Sequence, residues 1–197
     1  MAKRLFDWLV SVVGLLLLLP LLLLLALCIK IDSPGPVFFR QERVGQFGRL
    51  FRIHKFRTMV TDSERLGLQI TVGSDARVTR VGHWMRKYKL DELPQLLDVW
   101  LGHMSMVGPR PEVPRYVGCY PTDLRDVVLS VRPGITDRAS IEFKDEHEIL
   151  GRAADPNIAY VNEVLPIKLR YYVEYVNTHS FWGDILLILK TLIALVR

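Results

Sequence analysis

The chemistry in this sequence is concentrated in residues 86–95, RKYKLDELPQ, where three cations run directly into two adjacent carboxylates. An ionised acid beside cations, as Asp91 and Glu92 are here, can serve as a nucleophile or as a ligand for a hard metal ion. The alternative is a helix cap whose charges are solvated. This stretch taken alone favours that alternative, because such caps are common.

A helix is predicted directly after the acid pair. Pro94 is tolerated in the first turn of a helix, and Leu93, Leu96, Leu97 and Trp100 recur at helical spacing. The acids are therefore expected at or just before a helix N-terminus, whose partial positive charge favours ionised carboxylates. The neighbouring cations should keep both acids charged at neutral pH.

The net charge of +5 is spread unevenly along the 197 residues. Residues 30–90 hold 13 Lys/Arg against 5 Asp/Glu, whereas residues 91–197 hold 11 against 15. Such a cationic block indicates an anionic partner, namely phosphate groups, an acidic membrane surface or nucleic acid. No nucleic-acid partner is expected, because the cations flank an acid pair and no known binding motif is present. Cys28 and Cys119 predict no disulfide framework.

A membrane segment is predicted near the N-terminus, where residues 8–29 carry no charge. About 20 apolar residues suffice to cross a bilayer, and no cleavage site typical of a signal peptide follows. Pro20 interrupts the run and predicts a kink. Cations flank both sides, so the positive-inside rule selects no orientation. Two alternatives remain: a kinked transmembrane helix, and a re-entrant hairpin that returns to the same face.

The remaining patterns predict the elements around the acid pair. Residues 37–39 are a strand candidate, residues 41–49 a hairpin loop, and residues 50–57 a half-buried strand that carries Lys55 and Arg57. A rigid Gly-Pro loop is expected to aim Arg110 at phosphate oxygens. Further predictions are a turn and loop at 61–74, helices at 83–89, 116–131 and 165–177, and surface structure at 144–154. The apolar run 185–196 is too short to span and predicts an interfacial helix or a buried core helix.

Eight short motifs occur in an order that matches one known family. They are KRLFD at 3–7, SPGPVFF at 33–39, QERVG at 41–45, KFRTM at 55–59, D-x-R-x-T-R-x-G at 75–82, LDELPQ at 90–95, MSMVGPRP at 104–111 and RPGIT at 132–136. The chain thereby resembles the bacterial sugar transferases, the monotopic phosphoglycosyl transferases that start glycan assembly on polyprenol phosphate. Each motif alone is weak, but eight in register reverse the preference against a catalytic acid pair.

The resemblance implies a reaction and a set of site residues. A UDP-sugar would pass its sugar-1-phosphate to polyprenol (undecaprenyl) phosphate with release of UMP, through a covalent aspartyl-phosphosugar intermediate. Asp91 would be the nucleophile and would ligate Mg²⁺, and Glu92 would assist with the metal or the geometry. The cations expected to hold phosphate charge are Lys55, Arg57, Arg86 and Arg110.

The resemblance also implies an architecture. The expected fold is α+β and mostly helical. Residues 1–31 would form a re-entrant membrane hairpin broken at Pro20, and residues 32–197 a cytoplasmic catalytic domain with a short β-hairpin and interfacial amphipathic helices. The protein would lie at the bacterial inner membrane. Larger family members carry extra N-terminal membrane helices and a further domain, so this chain is expected to be the minimal catalytic unit. Whether it forms a homodimer stays open.

The chain departs from the family's common pattern in three places. Leu19 stands where many members have serine, residues 137–141 read DRASI where GWAQV is common, so that Asp137 replaces glycine, and Tyr172 stands where aspartate is usual. The last two bear on the identity of the sugar and nucleotide more than on the reaction. Two rival functions remain: a non-catalytic membrane module that binds anionic lipid or a glycan-assembly partner, and a transferase without a covalent intermediate.

Overall fold

The computed structural model describes residues 2–61, 75–143 and 146–196. The loop predicted at 61–74 lies outside the described residues except for position 61. In the described residues the protein is mostly helical with three small two-stranded sheets, which confirms the predicted α+β class. The helices are α1 (Ala2–Asp32), α2 (Arg80–Lys87), α3 (Gln95–Leu101), α4 (Pro114–Val117), α5 (Thr122–Val128), α6 (Arg138–Glu142), α7 (Glu146–Arg152), α8 (Pro156–Ala159), α9 (Leu165–Thr178) and α10 (Phe181–Val196).

Helix α1 runs without interruption through Pro20. Of the described helices it alone is long and apolar enough to cross a membrane, and only 11% of its most apolar window is buried. Leu16, Leu17 and Leu23, in its middle part, are exposed. A long apolar helix with this much exposed surface is suited to a lipid environment. Its return to the same membrane face stays a prediction, because α1 is one continuous helix.

Both ends of α1 contact the rest of the protein. Near the first end, the Asp7 carboxylate accepts hydrogen bonds from the Ser105 hydroxyl at 2.8 Å and from the Met106 backbone N–H at 3.2 Å. At the other end, the Asp32 carboxylate accepts one from the Val81 N–H at 3.0 Å. The side chains buried between this second end and the domain are Leu25, Ile29, Phe56 and Met85.

The strands are short, and only one of the three described pairs joins strands that follow each other across a short connection. The predicted hairpin is present, because β2 (Glu42–Val44) pairs antiparallel with β3 (Leu50–Arg52). The single strand predicted at 50–57 is instead two, since β3 ends at Arg52 and β4 (Lys55–Phe56) pairs with β1 (Phe38–Phe39). A third pair, which the sequence analysis missed, joins β5 (Ser105–Val107) in parallel to β6 (Gly134–Thr136).

Gly108, which follows β5, and Gly134, which begins β6, lie where the two backbones approach each other closely. A Cβ on Gly134 would lie 2.1 Å from the Gly108 nitrogen, and a Cβ on Gly108 would lie 2.5 Å from the Arg132 carbonyl oxygen. Only glycine permits this contact. It brings the loop after β5, which carries Arg110, against the loop at the start of β6.

The helix predicted at 116–131 is instead two short helices, α4 and α5, separated around Tyr120 and Pro121. The predicted helix at 165–177 is confirmed by α9, and the helix after Pro94 by α3. Of the surface segment predicted at 144–154, α7 covers the larger part, whereas positions 144 and 145 lie outside the described residues.

Helix α10 presents an apolar face outwards. Trp182, Leu186, Leu189 and Ile193 follow helical spacing and are all exposed. The opposite face is tied to the domain by a hydrogen bond between the hydroxyls of Thr191 and Thr136. An outward apolar face is not that of a buried core helix and favours the interfacial alternative.

We predict that Gly82→Ala destabilises the fold by about 3 kcal/mol. Gly82 lies in the first turn of α2, and a Cβ there would lie 2.2 Å from the Thr58 carbonyl oxygen, so α2 would have to move away from the strand region. Thermal or denaturant unfolding of the purified protein measures the loss. The matched control is Gly118→Ala, whose Cβ would lie 3.3 Å from its nearest atom, a contact that small shifts relieve. Equal stability of the two variants would contradict the prediction.

Candidate active site

The acid pair lies in a single 3₁₀ turn, Leu90–Glu92, between α2 and α3. The predicted position just before a helix is confirmed, because α3 begins at Gln95 with Pro94 as its N-cap residue. Asp91 is buried, with 2% of its surface exposed. A buried carboxylate needs a compensating cation, since burial alone disfavours the charged form.

Lys55 supplies that cation from strand β4. Its ammonium nitrogen lies 2.8 Å from Asp91 Oδ2 and 3.3 Å from Glu92 Oε1. Alternation along β4 explains the placement: Phe56 points into the apolar cluster with Leu25 and Ile29, so Lys55 points to the opposite side, towards the acids. One lysine thus bridges both carboxylates.

Arg110 supplies the second cation, from the loop that follows β5. Its guanidinium donates to both oxygens of Glu92, with Nη1 3.2 Å from Oε2 and a shorter bond from Nη2 to Oε1. The loop is fixed on its other side, where Arg43 donates to the Pro111 carbonyl at 2.9 Å. Two-point contact between a guanidinium and a carboxylate sets orientation as well as charge.

The Glu92 carboxyl is held ionised by these cations. Its burial would raise the pKa, but the charges of Arg110 and Lys55, the Arg110 hydrogen bonds and the charge of Lys89 outweigh that effect and lower the pKa well below its usual range. For Arg110 the charge of Glu92 dominates and raises the guanidinium pKa. Glu92 is therefore unsuited to proton transfer at neutral pH and suited to orienting Arg110 and Lys55.

One atom of the cluster stands apart. Asp91 Oδ1 is buried and has no hydrogen-bond partner among the described residues, whereas Oδ2 faces Lys55. Buried polar atoms without partners are rare in folded proteins, and a catalytic role is one of the explanations for them. Asp91 thus offers one oxygen that is buried and not engaged by any residue the structure describes.

The other two predicted cations are placed differently. Arg86 donates from Nε to the Thr58 hydroxyl at 2.8 Å, and burial lowers its pKa while the charge of Asp91 acts in the opposite direction. Arg86 is therefore within electrostatic reach of the acid pair without contacting it. Arg57 donates its guanidinium to the backbone carbonyls of Ser33, Pro34 and Pro36 at 2.7–2.8 Å. In this conformation Arg57 holds the turn after α1 and is not brought to the carboxylates.

Sequence reasoning missed a buried aspartate behind Arg110. Asp137 follows β6, is 3% exposed, and caps α6 by accepting hydrogen bonds from the N–H and hydroxyl of Ser140. Burial raises the pKa of Asp137, and its charge is one cause of the raised pKa of Arg110. The available signal was the departure from the family's usual glycine at this position. The placement of Asp137 near Arg110 depends on the pairing of β5 with β6, which no local pattern predicted.

The sequence analysis also did not predict the contact between His54 and Asp98, which supports the strand that carries Lys55. The Asp98 carboxylate accepts hydrogen bonds from the backbone N–H of His54 and contacts its ring Nδ1, both at 2.8 Å. Asp98 is fully buried on α3, so the pair fastens the chain next to Lys55 to the helix that follows the acid pair. His54 thus has a structural role here.

Comparison of the sequence with known proteins identifies the family of the chain. The family model described as bacterial sugar transferase matches residues 1–197. The chain is 40% identical over 192 residues to UDP-N-acetylgalactosamine-undecaprenyl-phosphate N-acetylgalactosaminephosphotransferase of Aeromonas hydrophila, covering 96% of this chain and 42% of that protein. It is 41% identical over 196 residues to undecaprenyl-phosphate glucose phosphotransferase of Komagataeibacter xylinus, covering 96% of this chain and 35% of that protein.

A shorter relative matches over most of its own length. The putative undecaprenyl-phosphate N-acetylgalactosaminyl 1-phosphate transferase of Bacillus subtilis is 38% identical over 152 residues, which cover 77% of this chain and 80% of that protein. The chain thus spans less than half of the first two relatives and most of the third. Because the family model matches from the first residue to the last, the chain belongs to the bacterial sugar transferase family.

Proposed function

We propose that this protein transfers a sugar-1-phosphate from a UDP-sugar to polyprenol phosphate and releases UMP, as the first membrane step of glycoconjugate assembly. The observation that carries the proposal is the state of Asp91, a buried, cation-paired carboxylate with one unengaged oxygen. The relatives are named as transferases of glucose or N-acetylgalactosamine phosphates that act on undecaprenyl phosphate, and these names support the substrate classes.

The reaction proceeds in two displacements at one phosphorus atom. In the first, Asp91 Oδ1 attacks the phosphorus that bears the sugar, the bond to the bridging oxygen breaks, and UMP leaves with that electron pair. In the second, an oxygen of polyprenol phosphate attacks the same phosphorus and the Asp91 carboxylate leaves unchanged. The products are UMP and a polyprenyl diphosphate-sugar, and no oxidant, reductant or net protonation of the enzyme is required.

The cations of the site stabilise the charge that develops on phosphate oxygens. Lys55 and Arg110 lie at the carboxylates already, and Arg86 lies within electrostatic reach of Asp91. Fixed cations in a water-poor site stabilise a transition state without reorganisation. Arg57 can join them only by giving up its three bonds to the turn at 33–36, so we assign it to shaping the site through that turn.

A magnesium ion fits the donor set. Mg²⁺ is commonly held in proteins by one or two carboxylates together with substrate phosphate oxygens, and the carboxylate of Asp91, which has hydrogen-bonding capacity to spare among the described residues, would hold it. No group of three or more potential metal-ligating side chains occurs in the described part of the chain, so the substrate would complete the coordination. When bound, the ion would neutralise diphosphate charge.

A re-entrant placement of α1 suits this chemistry. The soluble donor is cytoplasmic, whereas the lipid phosphate lies at the depth of the headgroups. Contacts at both ends of α1, through Asp7 and through Asp32, support a hairpin in which both ends lie on the cytoplasmic face of the inner membrane. Pro20 lies near the middle of α1, where a missing N–H favours a bend.

Asp91→Asn is expected to lower turnover by at least about a thousandfold, because the amide is a poor nucleophile and cannot leave as a carboxylate. UMP release measures turnover, and mass spectrometry of quenched enzyme detects the phosphosugar adduct. The matched control is Asp123→Asn, an exposed position on α5, which should keep full activity. With circular dichroism showing a folded variant, activity within tenfold of wild type would remove Asp91 as nucleophile and favour a non-catalytic or non-covalent role.

Removal of Mg²⁺ is expected to stop turnover. Without the ion, two negative phosphates would face two carboxylates that are already matched by Lys55 and Arg110. Excess EDTA followed by titration with MgCl₂ tests this, with UMP release as the readout and recovery on readdition as the control. Undiminished turnover in excess chelator would exclude the metal.

The two ends of α1 are expected to label from the same side of the membrane. In a background with Cys28→Ala and Cys119→Ser, single cysteines at exposed Ala2 and Ile31 should both react with an impermeant maleimide only in inside-out vesicles. Leu17→Cys, 75% exposed in the isolated protein, is the control and should be shielded by lipid. Labelling of the two ends from opposite sides would establish a transmembrane span instead.

A further inference from the structure

Lys89 adopts a backbone conformation that lysine rarely takes. Its φ of 55° and ψ of 21° lie in the left-handed region, where among the described non-glycine residues only Phe47 joins it. This conformation costs an L residue free energy that glycine or asparagine largely avoids. It lies between the end of α2 and the turn that carries Asp91, so the strained residue is two positions from the proposed nucleophile.

Lys89 also differs from the other cations around the acid pair by what it binds. Lys55 and Arg110 contact the carboxylates, Arg86 bonds Thr58, and Arg57 bonds backbone carbonyls. The Lys89 side chain is exposed and has no hydrogen bond or ion pair with any residue that the structure describes. Its charge nevertheless acts on Glu92. Lys89 is thus a cation next to the site that can bind an incoming anion without breaking an existing contact.

The surface beside Lys89 indicates which anion. Trp84 and Tyr88 are 50% and 42% exposed, with ring centroids 5.6 Å apart, and the Lys87 ammonium lies 5.3 Å from the Tyr88 ring centre. Exposed aromatic rings next to lysines are typical of the interface between a membrane and water. A lipid that lies along this surface brings its phosphate to the level of Lys89, so the position of the rings favours a phosphate carried by a lipid.

We propose that the Lys89 ammonium binds the phosphate of the polyprenol phosphate acceptor and positions it for attack on the phosphorus held by Asp91. The inference rests on the proposed function and adds to it the residue that receives the second substrate. A donor diphosphate offers the same phosphate chemistry, so the test has to separate the two half-reactions.

The experiment compares Lys89→Gln with Lys87→Gln in the full chain. Each change removes one positive charge, and Lys87→Gln serves as the matched control two residues away. For Lys89→Gln we expect the KM for polyprenol phosphate to rise at least about tenfold, the loss of one charge-assisted hydrogen bond. The amount of UMP released from donor in the absence of acceptor, and its rate, should equal those of wild type. Lys89→Arg should restore the acceptor KM.

A second variant removes any ambiguity about folding. Lys89→Gly loses the ammonium and relieves the left-handed strain, so its Tm should be equal to or above that of wild type. It should show the same acceptor defect as Lys89→Gln. A normal acceptor KM in Lys89→Gly would overturn the proposal.

The remaining outcomes are also decisive. A slower first half-reaction in Lys89→Gln would assign the residue to the donor, and equal defects in Lys87→Gln and Lys89→Gln would reduce it to general surface charge; either result overturns the proposal. If the wild-type protein itself neither releases UMP nor forms an adduct, that result would contradict the proposed function and, with it, this inference.

Discussion

The ion pair between Lys55 and Asp91 is the constraint on which the rest of the site depends. In the proposed reaction the attacking carboxylate has to be ionised and largely free of water, and these two requirements conflict unless a cation is buried beside it. Lys55 meets both through one oxygen and leaves the other unengaged. Replacing only one of the two residues would leave the other as an uncompensated buried charge, so each residue depends on its partner.

Charge balance explains how this pair is extended into a site. Asp91 and Glu92 are matched by Lys55 and Arg110, which makes the cluster neutral before any substrate arrives. The diphosphate of the proposed donor would bring negative charge that these two cations cannot fully offset. We assign the additional compensation to Arg86, to a magnesium ion and, for the lipid phosphate, to Lys89.

The cluster is formed by three chain segments: strand β4 with Lys55, the turn with the acid pair, and the loop with Arg110. Close backbone contacts hold these segments in place. Gly82 lets α2 approach Thr58, and Gly134 lets β6 approach the loop that carries Arg110. Helix α1 takes part in the same arrangement, because Asp7 binds the strand that precedes this loop and Asp32 binds the first turn of α2. Helix α1 therefore contacts elements on both sides of the site.

Much of this protein could be predicted from local patterns. The apolar run of α1, the hairpin of β2 and β3, helices α3 and α9, and the acid pair ahead of Pro94 all follow from spacing and residue type within about 20 residues. Each of these features depends on hydrophobic periodicity or on steric limits of single residues, which neighbouring positions encode.

The tertiary structure alone decided which charges meet. Lys55 and Arg57 share a face in an ideal strand, yet β4 ends at Phe56, so Lys55 reaches Asp91 while Arg57 turns to the carbonyls at 33–36. Arg110 meets Glu92, and Asp137 lies behind it, because β5 and β6 pair in parallel across an intervening stretch of chain. Contacts between distant segments are set by the packing of whole elements, which local residue patterns do not encode.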